Sequence, residues 1–310
     1  MNIDAPESAS DQLDALAASI APPPVVMRAP ARTRGEAIGL AVIQRTFAVL
    51  GPVFPGPMGR FAARLFTRPR RHTPPVFEQE IALSAEKLQI NFAGMPLHAW
   101  SWGQGPVILL VHGWEGRGAQ LARFMGPLVN DGYRVVALDG PAHGASPGKY
   151  VEVSTMANAL LAVEAALGPL HGVIAHSFGG ASTIVALTRS LRAGRVVIIG
   201  APDALMSVIG RFKQVLGLSG AAEEAFLEAF GQQLGARPET FDVAKMSATL
   251  PAQALIVHDR GDTEVGFNEG YRVHQGWPGS VMLATEGLGH RRILKTQSVI
   301  EAAHRFLTAP

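Results

Sequence analysis

Val173-Ile174-Ala175-His176-Ser177-Phe178-Gly179-Gly180 joins a short aliphatic run to a stretch with helical character that continues to Leu191. An apolar run bounded by small residues predicts a strand over Val173–Ala175, buried on both faces of a sheet. A strand that feeds directly into a helix has to turn sharply, and the residue at the turn is lifted clear of the sheet. Ser177 holds that place. Ala175, Gly179 and Gly180 leave the room such a turn needs, with Ala standing where Gly is more usual. A serine at a helix start can also be a plain N-cap, so the reading depends on whether the rest of the chain supplies partners for a reactive hydroxyl.

Those partners follow in the order acid, then histidine. A strand expected over Leu255–Val257 runs into His258-Asp259-Arg260-Gly261-Asp262, a loop with two carboxylates. Asp262 stands where an acid would project; Asp259 follows the strand at once and suits a turn, and Asp203, after the strand Val196–Ile199, is a third candidate. His290 follows the strand Val281–Ala284 in Gly287-Leu288-Gly289-His290. A free serine hydroxyl is a weak nucleophile near neutral pH. Imidazole, with an ordinary pKa of about 6.5, can take its proton and return it to a leaving group, while a carboxylate holds the ring in the useful tautomer. His112, His143, His176 and His258 lie beside glycines or strand ends and read as structural hydrogen-bonding groups. Charge developing on a substrate oxygen needs two aimed N–H groups. The backbone of Phe178 offers one, and that of Trp114, in the loop His112-Gly113-Trp114 after the strand Val107–Val111, offers the other.

Around this centre, residues 76–310 alternate strands with helices, the pattern of a parallel sheet covered on both faces. Further extended segments are expected at Glu78–Leu83, Leu97–Trp102 and Val135–Leu138, and helices at Ala119–Val129 and Met156–Leu167. Some fifty residues separate the strands at Val196–Ile199 and Leu255–Val257, more than one crossover requires. Helical stretches at Ala204–Leu216, Ala221–Leu234 and Phe241–Met246 suggest a cap over about 201–250. Phe212 and Phe226, with Trp114, are the expected substrate-binding side chains.

Residues 1–75 carry nine Lys/Arg against five Asp/Glu, and the remainder eighteen against twenty. That basic quarter reads as a separate unit: a flexible leader to residue 34, a helix over Glu36–Leu50 stopped by Gly51-Pro52 and Pro55-Gly56-Pro57, and a further turn or two over Gly59–Phe66. Its opening acids, Asp4, Glu7, Asp11 and Asp14, reverse the pattern of a secretory signal, so a cytoplasmic location is expected. Apolar residues alternate with arginines over 58–72, which would suit weak contact with an anionic membrane surface or packing on the catalytic domain. A net charge of +2 gives no case for nucleic-acid binding. The absence of cysteine excludes thiolate metal sites, disulfides and a cysteine nucleophile.

In His112-Gly113-Trp114, Asp139-Gly140-Pro141-Ala142-His143-Gly144-Ala145-Ser146, the elbow around Ser177, the Asp262 loop and Gly289-His290, residues 76–310 resemble the α/β-hydrolase superfamily, in its serine esterase and lipase-like branch. The resemblance implies an α/β fold with a mostly parallel central sheet, helices on both faces and a helical cap. It places Asp139 and His143 in a structural loop near the site. Serine at the elbow argues against dehalogenases and epoxide hydrolases, which resemble this pattern but carry aspartate there. The expected reaction is hydrolysis of a small carboxylic ester or similar acyl compound, with no metal or organic cofactor. Acyl transfer, cleavage of an amide, thioester or carbon–carbon bond, and a silent ligand-binding module remain open alternatives.

Overall fold

The computed structural model describes residues 34–310; the expected leader and the acidic opening lie outside these residues. Helices α1 (Arg34–Leu50), α2 (Pro55–Thr67) and α3 (Val76–Leu83) precede a hairpin of β1 (Glu86–Phe92) and β2 (Met95–Trp102). Then come β3 (Val107–Val111), a 3-10 turn over Gly118–Phe124, α4 (Met125–Asn130), β4 (Arg134–Leu138), α5 (Val153–Leu167), β5 (Leu170–His176), α6 (Phe178–Thr188) and β6 (Ala193–Ile199). After α7 (Leu205–Leu216), α8 (Ala221–Leu234) and α9 (Val243–Met246), the chain returns through β7 (Gln253–Asp259), α10 (Phe267–Gly276), β8 (Ser280–Thr285), α11 (Gly289–Arg292) and α12 (Gln297–Thr308).

The eight strands form one sheet in the order β1-β2-β4-β3-β5-β6-β7-β8. Pairings from β4 to β8 are parallel, and β2 meets both β1 and β4 antiparallel. Because strand side chains alternate, Leu109, Val111, Val173, Ala175 and Ile198 enter one core and Ile108, Leu110, Ile174, Val197 and Ile199 the other. Each such side chain fully removed from water contributes roughly 1.5–3 kcal/mol. A charge on any of them would have no polar face to turn toward. Uniformly apolar strands thus force helices onto both sides of the sheet, and β3, β5, β7 and β8 all end at the same edge.

Several local readings need correction. Glu78–Leu83 is helix, not strand: Pro75 precedes it, Glu78 lies in its first turn, and Ile81 packs under the core, while Glu, Gln, Ala and Leu all favour helix. The outer strand is instead β1, where Leu88, Ile90 and Phe92 alternate with polar residues and Ala93-Gly94, both at positive φ, turn the hairpin. Helix α1 does stop at Leu50, but the turn or two expected over Gly59–Phe66 is the longer α2, which Pro55-Gly56-Pro57 opens, since the missing N–H of a first-turn proline bonds to nothing anyway. Ala119–Val129 divides into the 3-10 turn and α4, and α9 begins only after Asp242, whose carboxylate caps it by accepting from Lys245 N–H.

The stretch between β6 and β7 folds as α7, α8 and α9. Helix α2 lies against α8 with Gly59, Ala62 and Ala63 buried. A Cβ at Gly59 would run into the backbone of Ala225 and Phe226, so only glycine permits this approach. Among the described residues no helix is long and apolar enough to cross a membrane.

Candidate active site

Ser177 occupies the turn between β5 and α6 with φ 52° and ψ −120°, a conformation that costs a non-glycine residue on the order of 1–3 kcal/mol. Its neighbours enforce it. Ser177 N–H donates to the carbonyl of Ile199 on β6 at 2.8 Å. A Cβ at Gly179 would collide with the carbonyl oxygens of His112 and Val111, and one at Gly180 would press on Ala201. The small residues after the serine are therefore fixed by how closely α6 meets the ends of β3 and β6.

The Ser177 hydroxyl donates to His290 Nε2 at 3.0 Å, and His290 Nδ1–H donates to Asp262 Oδ2 at 2.6 Å. The other Asp262 oxygen accepts the N–H groups of Glu264 at 2.8 Å and Val265 at 2.9 Å, so the carboxylate cannot rotate without losing both. Burial works to raise this carboxyl, but the bond and attraction to His290, with the Val265 N–H, outweigh burial and hold it below its ordinary value. The rival aspartates are engaged elsewhere. Asp259 accepts from Gly261 N–H, Leu288 N–H and Thr285 Oγ1, tying β7 to the loop that carries His290. Asp203 accepts from Ser207 and pairs with Arg272.

His176 lies behind His290: its Nε2 donates to the His290 carbonyl at 2.9 Å and the two rings are 4.6 Å apart. Burial pushes it down to about 3, so it places no positive charge beside His290.

The loop after β3 lies against the elbow, where a Cβ at Gly113 would come within 3.0 Å of Ser177 Cβ. The N–H groups of Trp114 and Phe178 make no hydrogen bond to any described residue. Two histidines brace this loop from behind. His112 Nδ1–H donates to Gly113 O at 2.8 Å and its Nε2 accepts from Gly140 N–H at 3.0 Å; His143 Nδ1–H donates to Pro141 O at 3.0 Å and its Nε2 accepts from Glu115 N–H at 3.1 Å. Each ring must stay neutral to accept, and burial lowers His112 to about 4 and His143 to about 3. Asp139, its carboxyl raised by burial, accepts from Gly118 and Ala145 N–H at 2.8 Å each.

Ser177 and His290 open into a cavity of about 670 Å³. Trp114 and Phe178, their rings edge to face at 5.4 Å, wall it beside the serine. Phe212 lines it, whereas Phe226 is fully buried behind Phe66 and Phe212 and does not. Leu65, Phe66 and Thr67 of α2 line it as well, residues the sequence reading left outside the site. The alternation over 58–72 was the available signal, but it cannot tell a face turned to solvent from one turned to a cap. Arg211 is the one arginine or lysine among the described residues lining this cavity, and it is paired with Glu269.

A mostly parallel sheet with a serine elbow at its centre and an acid and a histidine at the ends of β7 and β8 defines a hydrolase of the α/β class. The model of the alpha/beta hydrolase family matches residues 108–297, and the chain belongs to that family. A 2-hydroxy-6-oxononadienedioate/2-hydroxy-6-oxononatrienedioate hydrolase of Escherichia coli is 28% identical over 264 residues, 68% of this chain and 91% of the relative. Among solved structures, an esterase from Pyrococcus furiosus superposes with a TM-score of 0.59 at 20% identity, covering 78% of this chain and 96% of the esterase. A meta-cleavage product hydrolase from Pseudomonas fluorescens gives 0.54 at 22% identity, covering 72% and 98%. At these identities the two structures share the fold.

Proposed function

We propose that the protein is a serine hydrolase that cleaves a carboxylic ester or similar acyl substrate through an acyl-enzyme. The observation that carries this reading is the hydrogen-bonded line from Ser177 through His290 to Asp262, 3.0 and 2.6 Å long in its two links, opening on a mostly apolar cavity. Ser177 Oγ attacks the acyl carbonyl as its proton passes to His290 Nε2, and the N–H groups of Trp114 and Phe178 receive the developing oxyanion. His290 then protonates the departing alkoxide. In the second half a water takes the place of that alcohol, His290 draws its proton, and the acid leaves with Ser177 restored. Asp262 holds His290 with its proton on Nδ1 and stabilises the imidazolium, without taking the proton itself.

Labelling with a fluorophosphonate tests this directly. Wild type is expected to react and to hydrolyse chromogenic acyl esters. Ser177→Ala is expected to lose both, with turnover reduced about 10⁶-fold and little change in Tm. A folded wild type that stays unlabelled would sink the reading.

The Escherichia coli relative supports a second reading, hydrolysis of a carbon–carbon bond in an oxo-dienedioate. The cavity speaks against a substrate with two carboxylates, because its one lining arginine is already neutralised by Glu269. Parallel assays on an ester panel and on a 2-hydroxy-6-oxo-dienedioate separate the two readings by which one turns over.

A further inference from the structure

We propose that α2 forms the far wall of the acyl pocket and that Phe66 sets the length of apolar acyl group the enzyme accepts. The inference rests on the serine-hydrolase reading and adds to it a substrate class: aliphatic or arylalkyl acyl groups of medium length, attached to the carbonyl that Ser177 attacks.

Three observations carry it. First, Phe66 stands at the centre of an aromatic cluster, 4.9 Å from Phe212, 4.9 Å from Phe230 and 5.7 Å from Phe226, ring centre to ring centre. Phe66, Phe212 and Phe230 face the cavity, and Phe226 locks them from behind. Edge-on packing of this kind fixes the ring planes, so the wall is rigid. Second, α2 cannot drift from the cap. Gly59 meets the α8 backbone directly, Ala62 and Ala63 are fully buried, and Thr67 Oγ1 bonds back to Ala63 O and across to Gln233 on α8. Helix α2 lies outside residues 108–297, the span shared with the family model, so the pocket is closed by two segments far apart in the chain. Third, about 670 Å³ falls within the roughly 300–1,000 Å³ of pockets that enclose whole small molecules. An acetyl group would leave most of that apolar wall without contact, whereas a chain reaching Phe66 recovers it.

The test is kcat/KM for p-nitrophenyl esters from acetate to laurate, with wild type, Phe66→Ala, Phe66→Leu and Phe66→Trp. Wild type is expected to peak at a medium chain. Phe66→Ala should move the peak at least two carbons longer and Phe66→Trp at least two shorter, each raising or lowering the long-to-short ratio about tenfold, the usual worth of a methylene gained or lost in an apolar pocket. Phe66→Leu, which keeps most of the buried volume, should fall between wild type and Ala and keeps the test open if the alanine variant fails to fold. Profiles that superimpose on wild type in the folded variants would overturn the proposal while leaving the serine-hydrolase reading standing. So would a shift confined to a series varied on the alcohol side. A wild type that neither reacts with fluorophosphonate nor turns over any ester would overturn both.

Discussion

At the scale of single residues, two carboxylates three positions apart at the end of β7 have opposite surroundings. Asp262 gives one oxygen to His290 and the other to two backbone N–H groups; Asp259 spends both oxygens on Gly261, Leu288 and Thr285. Asp262→Asn presents an amide where the imidazole needs an acceptor and destabilises the tautomer with its proton on Nδ1. Its kcat is expected to fall about 10³–10⁴-fold, with a small change in Tm. Asp259→Asn should behave the other way: it loses one of two acceptor oxygens serving half-buried donors, at a cost of about 1 kcal/mol, and keeps most of its activity. Steady-state kinetics and urea melts on both variants check the pair, and equal kinetic losses would undo the assignment.

At the scale of elements, the segment between α2 and α3 acts as a strap across the loop that carries the Trp114 N–H. Arg70 holds Glu115 with both ends of its guanidinium, at 2.9 and 3.0 Å, and adds its backbone N–H at 3.1 Å, while His72 approaches the same carboxylate at 3.3 Å. Burial works to raise Glu115, but these bonds outweigh it and hold the carboxyl below its ordinary value. Glu115 has φ 57°, so the strap pins a strained residue next to a proposed oxyanion donor. Arg71 meanwhile donates to the carbonyls of Gly144 and Ser146 in the bracing loop. Because the Arg70 side chain is 69% exposed, Arg70→Ala should change stability little. It should lower kcat several-fold with KM nearly unchanged, and a Glu115→Ala, Arg70→Ala double variant should be no worse than the worse single one. Additive losses would mean the two residues act separately. Strap and pocket wall alike were beyond the sequence pattern, for one reason: both are set by packing between segments far apart in the chain. The parallel strands were legible because burial on both faces makes them uniformly apolar, and α7 and α8 because their lengths exceed a strand's. Glu78–Leu83 misled because three polar residues followed by three apolar ones, Ile81 to Leu83, show neither period in so short a stretch. Phe226 and Phe230 stand four apart on α8, a spacing that names a buried face of that helix but not which ring faces the cavity, and nothing in the pattern brings Phe212 of α7 to them.

For the whole molecule, the elbow, the loop beside it and the acid loop share one dependence on pH, since each leans on a buried neutral imidazole. His112, His143, His176 and His258 are all lowered by burial, the first to about 4 and the next two to about 3. A group depressed in the folded state gives stability that is fully present above its unfolded pKa of about 6.5 and is lost as pH falls toward the folded value. His112, His143 and His176 therefore each withdraw about 1.4 kcal/mol per pH unit between those values, and His258 acts in the same direction. Asp139, Glu152 and Glu269 are raised by burial, so acidification relieves them and offsets part of the slope. A single substitution isolates one histidine from this sum. Gln at position 143 can still accept from Glu115 N–H and donate to Pro141 O, but it does not titrate. Urea melts at intervals from pH 7 to 4.5 should show wild type losing stability faster than His143→Gln, by about 1.4 kcal/mol per pH unit below 6.5. Parallel curves would mean that the imidazole takes up a proton as easily in the fold as in the open chain, and the loop carrying the Trp114 N–H would then owe its position to the Arg70 strap rather than to the ring behind it.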